Sequence, residues 1–187
     1  MARCPFCRTT YKPARMGQGC CLNLDCIIQA GQARKAKEAA KQAKAERAAI
    51  KVRKAKLKTR RDWINEAQRS FNQWIRQRDS GKPCICCGLP LGNASIGGGF
   101  DAGHYRSIGS APHLRFDDRN CHGQRKQCNR YGAGRAVDYR IGLLARIGLE
   151  AVEALEADNT PAHWSIDDLK AIRDLYRAKL KELKANE

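Results

Sequence analysis

Ten cysteines, gathered into two sets, constrain the fold of this 187-residue chain more than any hydrophobic pattern does. The first set is Cys4, Cys7, Cys20, Cys21 and Cys26; the second is Cys84, Cys86, Cys87, Cys121 and Cys128. Each set contains a pair separated by two residues, a turn that presents two thiolates to one zinc ion. Aromatic residues are only 6% of the chain. So little large apolar material does not build an extensive core, and small domains of this kind need metal staples. No apolar run approaches the roughly 18 residues of a membrane span. The start, Met1-Ala2-Arg3-Cys4, lacks the apolar core of a secretory signal. The expectation is a chain in a reducing compartment, with no membrane partner and with cysteines serving zinc rather than disulfides.

In the first set Cys4 and Cys7 open the site, and Cys21 and Cys26 are expected to close it, with Cys20 the substitute for Cys21. Tyr11, Pro13, Gly17 and Gly19 suit a short ribbon with turns, so residues 1–28 read as a zinc ribbon. Residues 29–61 carry thirteen Lys or Arg against Glu38 and Glu46, a net +11, with no proline and no glycine after Gly31. Alanine, lysine, arginine and glutamine are strong helix formers. Ile50, Val52 and Leu57 are too few for a coiled-coil seam. The segment predicts a solvated basic helix joining two modules. Lys41, Lys44, Arg47, Lys51, Lys54 and Lys58 are placed along DNA phosphates, contacts that carry no base information. A whole-chain charge of +17 also puts nucleic acid first among partners.

Trp63, Ala67, Phe71, Trp74 and Ile75 share one helical face, which should pack onto the domain spanning 62–134; Gly81 and Pro83 end that helix. In the second cysteine set Cys84 and Cys87 form the first pair and Cys121 and Cys128 the second, with His122 as the alternative to Cys121. Cys86 falls inside the gap and is not expected to be a ligand. Gly92, Gly97, Gly98 and Gly99 read as a flexible connection, because no Gly-Lys-Ser/Thr ending marks a phosphate-binding loop. Within the cysteine bracket stand Asp101, His104, Asn120 and Asn129. The expected elements are a strand over 100–105 delivering His104, a second strand around Leu114-Arg115-Phe116, and a helix from Asn120 to Cys128. That is the layout of an HNH, or ββα-metal, nuclease.

The residue types suit phosphodiester hydrolysis. A histidine titrating near neutrality takes a proton from water, the role given to His104. Magnesium or manganese neutralises charge on the phosphate and leaving oxygen and prefers oxygen ligands, the role given to Asp101 and Asn129. Asn120 is expected to hold the loop carrying His104, and Arg106 is placed among the DNA contacts. The tail, 135–187, predicts two helices broken at Asp158-Asn159-Thr160-Pro161, the second capped by Ser165 with Asp168. The pair should pack together and onto the nuclease domain. A homodimer surface is the alternative.

Asp101-Ala102-Gly103-His104-Tyr105-Arg106 and Ala111-Pro112-His113-Leu114-Arg115-Phe116-Asp117-Asp118-Arg119-Asn120 resemble the central block of the lambdoid phage NinG (Rap) proteins. Ile147-Gly148-Leu149-Glu150-Ala151-Val152 and Trp164-Ser165-Ile166 resemble that family's C-terminal block. The resemblance implies a structure-specific endonuclease for branched recombination intermediates such as Holliday junctions and D-loops, working in the bacterial host cytoplasm beside other phage recombination proteins. The expected fold is a small zinc-stabilised α+β protein with two structural zinc sites: an N-terminal zinc ribbon, a long basic helix, an HNH-like core and a C-terminal helical pair. The alternative is a non-catalytic zinc-containing DNA-binding accessory protein.

Overall fold

The computed structural model describes residues 1–92, 99–161 and 163–185, so Gly97 and Gly98 of the glycine run lie outside the described residues. The fold is mixed α+β and divides into two units, Met1–Lys58 and Thr59–Glu187.

In the first unit, β1 (Ala2–Arg3) pairs antiparallel with β2 (Thr10–Tyr11). Their connection is a tight knuckle: Cys4 N donates to Thr9 O at 2.9 Å and Arg8 N to Cys4 O at 2.9 Å. Arg8 takes a left-handed φ of 62° to close it. Farther on, the Tyr11 hydroxyl donates to Gln18 O at 2.9 Å, pinning the next loop to the strand pair. Asn23 then caps α1 (Leu24–Lys56), its Oδ1 accepting from Asp25 N at 2.9 Å. The 33 residues of α1 correspond to about 50 Å of helix. Cys26 is its only buried residue, so beyond the first turn the helix is a solvated rod.

The basic helix therefore begins five residues earlier than expected and stops before 61. Thr59 and Asp62 form a capping box, Asp62 Oδ2 accepting from Thr59 N at 2.8 Å and Thr59 Oγ1 from Asp62 N at 3.3 Å. That box starts a new helix and claims Arg60 and Arg61 for it. Lys58, assigned by sequence to the basic helix, lies in the intervening turn.

In the second unit, α2 (Arg60–Arg78) buries Trp63, Ala67, Ser70, Phe71 and Ile75 along one stripe. Phe71 meets Tyr176 edge-on at 4.8 Å and Phe116 at 5.9 Å. Tyr176 belongs to α5 (Ile166–Ala185), and Leu169 joins it in the same core. The C-terminal helices thus do not form a pair. Gly148, at φ +83°, splits the first into α3 (Ala136–Ile147) and α4 (Leu149–Ala157). These two build a separate core with Ile85, Ala111 and Leu114, while α5 packs on α2.

β3 (Phe100–His104) and β4 (Cys121–Arg125) form an antiparallel pair in which His104 faces Cys121 and Phe100 faces Arg125. Two expected elements differ. Pro112–Phe116 is a 3-10 turn rather than a strand, and residues 121–125 are a strand where a helix was expected. The expected helix survives only as a π-helical turn, Gln127–Tyr131. The reason is coverage of both faces. Cys121, His122, Gly123 and Gln124 are all buried, Cys121 in the α2–α5 core and His122 beside Tyr139 of α3. A strand covered on both faces shows no alternation to read. Gly123 has no room for a side chain: a Cβ there would sit 2.6 Å from Leu91 Cδ1.

Asp79 ties these pieces together. It follows α2 directly, has no solvent exposure, and receives Arg78 through Nε at 2.9 Å and Nη2 at 2.8 Å. Gly123 N of β4 donates to it at 2.7 Å, Lys82 Nζ lies at 3.2 Å and Arg146 Nη1 of α3 at 3.5 Å. Burial opposes its ionisation, but Arg78 and Gly123 outweigh that and hold the carboxyl at about 2. His122 Nδ1 accepts from Arg78 at 3.1 Å and its Nε2 donates to Arg119 O at 3.0 Å. Burial first, then the Arg78 charge, lowers this imidazole to about 4.

Asp79→Ala should cost about 3–5 kcal/mol, because it leaves the mostly shielded Arg78 and Arg146 without their carboxylate and the Gly123 N–H without its acceptor; urea unfolding measures it. Acid should also destabilise the protein well before Asp79 titrates. His122 is neutral when folded down to about pH 4 but protonates near 6.5 once unfolded. Its contribution is complete above about pH 6.5 and is lost as pH falls toward 4, by about 3 kcal/mol. His122→Gln should flatten the stability profile across that window in melts at constant zinc.

Candidate active site and metal centres

A cleft of about 460 Å³ opens in the second unit between α2, the end of β3 and the turn after β4. Gln68 and Asn72 line it from α2, His104 from β3, and Asn129 from the π-helical turn. His104 ends β3 with its Nε2 2.9 Å from Arg115 O. A carbonyl only accepts, so Nε2 carries the proton and Nδ1 keeps its lone pair. The nearest polar partner of Nδ1 is Cys121 Sγ, at 3.9 Å. Loss of solvation lowers the pKa of His104, with the Arg115 charge acting the same way and the Arg115 carbonyl against it.

Asn120 is fully buried at the head of β4. Its Oδ1 accepts from Arg106 N at 2.8 Å, and its Nδ2 donates to Arg106 O at 3.0 Å and Leu114 O at 3.2 Å. One amide thereby fastens both the residue two beyond His104 and the residue before Arg115. Asn129 Nδ2 donates to Asp101 Oδ2 at 3.0 Å. The Asp101 carboxylate is also held by Arg130, through Nε at 2.8 Å and Nη2 at 2.8 Å. Burial raises the Asp101 pKa, but Arg130 and then Asn129 bring it below the usual range.

Arg106 stands elsewhere than sequence placed it. Its Nη1 donates to Leu155 O at 2.9 Å and also to Asp158 O, and its Nη2 donates to Asn159 Oδ1 at 2.9 Å. The guanidinium caps the carbonyl end of α4, a demand no short motif announces. Arg115, not singled out by sequence, is partly buried, and among the described residues no carboxylate pairs with it. Its Nη1 donates to Gln68 Oε1 at 3.3 Å, on the cleft wall. Loss of solvation lowers its pKa. Gln68, Asn72 and Arg115 were hidden because polar residues on an amphipathic helix and an arginine in an apolar turn look like ordinary surface. Lys41, Lys44, Arg47, Lys51 and Lys54 are all exposed on α1.

The cysteines form two groups. Cys4, Cys7, Cys21 and Cys26 bring four thiols within 4.8 Å of one another. Zinc–sulfur bonds of about 2.3 Å in a tetrahedron put sulfurs about 3.8 Å apart, so the set fits zinc. Cys26 arrives on the first turn of α1. Loss of solvation works against a Cys4 thiolate, yet backbone N–H groups of Cys21, Cys7 and Phe6 outweigh it and bring that thiol to about 6. Cys20, the alternative to Cys21, is outside the group.

The second group holds only Cys84, Cys87 and Cys128. Cys121, expected as a ligand, is not among them. It sits fully buried in the α2–α5 core, where desolvation pushes its thiol up, because the strand register that pairs it with His104 turns it away from the knuckle. His122 is not the substitute either, since both ring nitrogens are engaged by Arg78 and Arg119.

The sequence profile of the family described as Bacteriophage Lambda NinG protein matches residues 1–187. The chain is 39% identical over 189 residues to Protein ninG of Escherichia phage lambda, covering 95% of this chain and 90% of that protein. It is equally similar, with the same coverage, to Protein ninG of Salmonella phage P22. It is 45% identical over 135 residues to Protein ninG of Enterobacteria phage H19B, covering 72% of this chain and 65% of that one. No solved structure matches significantly. No described helix is long and apolar enough to cross a membrane.

Substitution should separate the neighbouring cysteines of the first group. Cys21→Ser is expected to lose one zinc ion per chain by elemental analysis, whereas Cys20→Ser retains the wild-type content. Chelation should unfold the short strand pair and its loop, because metal binding and folding are one event in so small a module.

Proposed function

Because the chain belongs to the family of the bacteriophage lambda NinG protein, we propose that it is a metal-dependent DNA endonuclease. Its substrates are branched recombination intermediates, Holliday junctions and D-loops among them. One observation carries the chemistry: His104, held through Nε2 by the Arg115 carbonyl and with its Nδ1 lone pair 3.9 Å from Cys121 Sγ, shares a cleft with Asn129. This is the HNH-like reading of the β3–β4 pair and the turn that follows it.

His104 Nδ1 accepts a proton from the attacking water, which its lowered pKa permits at neutral pH. Asn120 does not touch the reacting atoms; it positions the backbone on either side of the histidine's support. Arg115, partly desolvated and paired with no carboxylate among the described residues, supplies positive charge beside the cleft for a phosphate. A bound magnesium or manganese ion would neutralise charge on the scissile phosphate and the departing oxygen. Asn129 and Asp101 offer the oxygen donors such ions prefer; Arg130 now holds the Asp101 carboxylate and would have to yield it. The exposed cations of α1 would bind phosphates irrespective of sequence. The reading extends to a homodimer supplying two cuts, to other phage recombination proteins as partners, and to the host cytoplasm as the place of action.

His104→Ala should lower single-turnover cleavage of a labelled four-way junction in magnesium by about 10²–10⁴ while leaving junction binding nearly intact. Asn120→Ala should lose less, and excess metal should partly rescue Asn129→Ala. Wild-type cleavage by a folded His104→Ala protein would remove His104 as the base, and junction binding without magnesium-dependent cleavage by the wild-type protein would favour a non-catalytic DNA-binding accessory role.

Changing Lys41, Lys44, Arg47, Lys51 and Lys54 to Gln should weaken binding to every DNA shape. The slope of log affinity against log salt should fall by up to about 4.5, at roughly 0.9 per phosphate contact. An unchanged slope would make α1 a spacer.

A further inference from the structure

The two cysteine knuckles of this chain have one backbone geometry. In the first, Cys4 N donates to Thr9 O and Arg8 N to Cys4 O. In the second, Cys84 N donates to Leu89 O at 2.8 Å and Gly88 N to Cys84 O at 3.0 Å, the same offsets. Arg8 and Gly88 both take positive φ, 62° and 68°. Arg3 pairs with Thr10, and Pro83 bridges Pro90, again at equal offsets. Each knuckle therefore offers its two thiolates in the same way.

What completes them differs. The first knuckle is closed by two further cysteines, the second by Cys128 alone. The undescribed residues, 93–98, 162 and 186–187, contain no cysteine or histidine. Two residues before Cys128's own neighbour, at the spacing Cys84 has from Cys87, stands Arg125. Its backbone N–H donates to Cys84 Sγ at 3.3 Å, and its Nη1 lies 4.0 Å from Cys87 Sγ. Cys86 is turned away, its sulfur accepting from Gln124 Nε2 at 2.9 Å. A cleft of about 430 Å³ opens beside the group, walled by Cys87, Cys128, Arg125 and Arg135.

We propose that Cys84, Cys87 and Cys128 hold zinc as a three-thiolate site. Its fourth position opens to the cleft and takes an exchangeable water or a small monodentate anion. Three thiolates on a divalent cation leave one net negative charge, and Arg125 offsets it where a fourth cysteine would otherwise have closed the site. Closed four-cysteine sites are structural, whereas an open position admits exogenous ligands. The two metal sites of the chain are then unequal: the first is sealed, and the second exchanges.

The test uses the full chain loaded with cobalt(II) in place of zinc. Wild type should bind two cobalt ions with seven thiolates, four plus three, and added azide should shift the ligand-field bands of one of them. Arg125→Cys should raise the thiolate-to-cobalt charge-transfer intensity by one part in seven and abolish the azide response. Cys86→Ser and Cys121→Ser should leave both readings as in wild type. In the zinc form a colorimetric chelator should take one ion faster than the other, and Arg125→Cys should remove that difference. An azide-insensitive wild type would overturn the proposal. So would loss of a thiolate in Cys86→Ser or Cys121→Ser, or binding of a single cobalt. These readings stand even if Arg125→Cys fails to fold.

Discussion

The second unit depends on one buried carboxylate. Asp79 lies where the end of α2, the middle of β4 and the end of α3 converge, and it answers donors from all three. The molecule has few large side chains to bury, so no single apolar core spans these elements. Three modest clusters do the packing instead. A carboxylate with a backbone N–H and several cations around it is directional where a small apolar contact is not. It fixes β4 against α2 at Gly123, where the chain has no side chain to hold register. The cost of burying it is met by the donors themselves, which is why its acid form is pushed to about 2. Arg146 extends the network by donating to Pro83 O at 2.6 Å, so the approach to the second knuckle is tied to the same point.

Much of the fold was legible because it rests on local signals. The amphipathic stripe of α2, the alanine-rich basic helix and the Ser165–Asp168 cap each follow from short-range physics, and Ser165 N indeed donates to Asp168 Oδ2 at 2.9 Å. The strand ending in His104 was readable from Phe100 onward. What escaped reading was set by tertiary cover. β4 is buried on both faces and so has no period, and Leu114 and Phe116 are buried at alternate positions of a 3-10 turn, which imitates a strand. The break at Gly148, whose positive φ splits the first tail helix in two, also went unread.

The candidate site was legible in its residues but not in its wiring. His104, Asn120 and Asn129 stand around one region, yet the groups that set their state are backbone atoms and neighbours without a motif. Cys121 shows the difficulty most plainly. Its place with Cys128 as the second cysteine pair suggested a metal ligand, while the register that pairs it with His104 buries it in the core. Spacing counts residues along the chain; it does not count which face a strand shows. The setting of Arg106 was hidden for the same reason, since its partners at Leu155 and Asn159 lie about fifty positions away.

The misread 3-10 turn is what builds the site. Because Pro112–Phe116 coils instead of extending, Arg115 directs its carbonyl to His104 Nε2 and its guanidinium to Gln68. Leu114, one residue earlier, accepts from Asn120. A single turn therefore selects the tautomer of the histidine, carries a cation that pairs with no carboxylate among the described residues, and is fastened by the buried asparagine. A straight strand could not do all three, because successive residues would face opposite sides of the sheet. Position along the turn, more than the identity of any one residue, puts the proton on Nε2 of His104 and the lone pair on Nδ1.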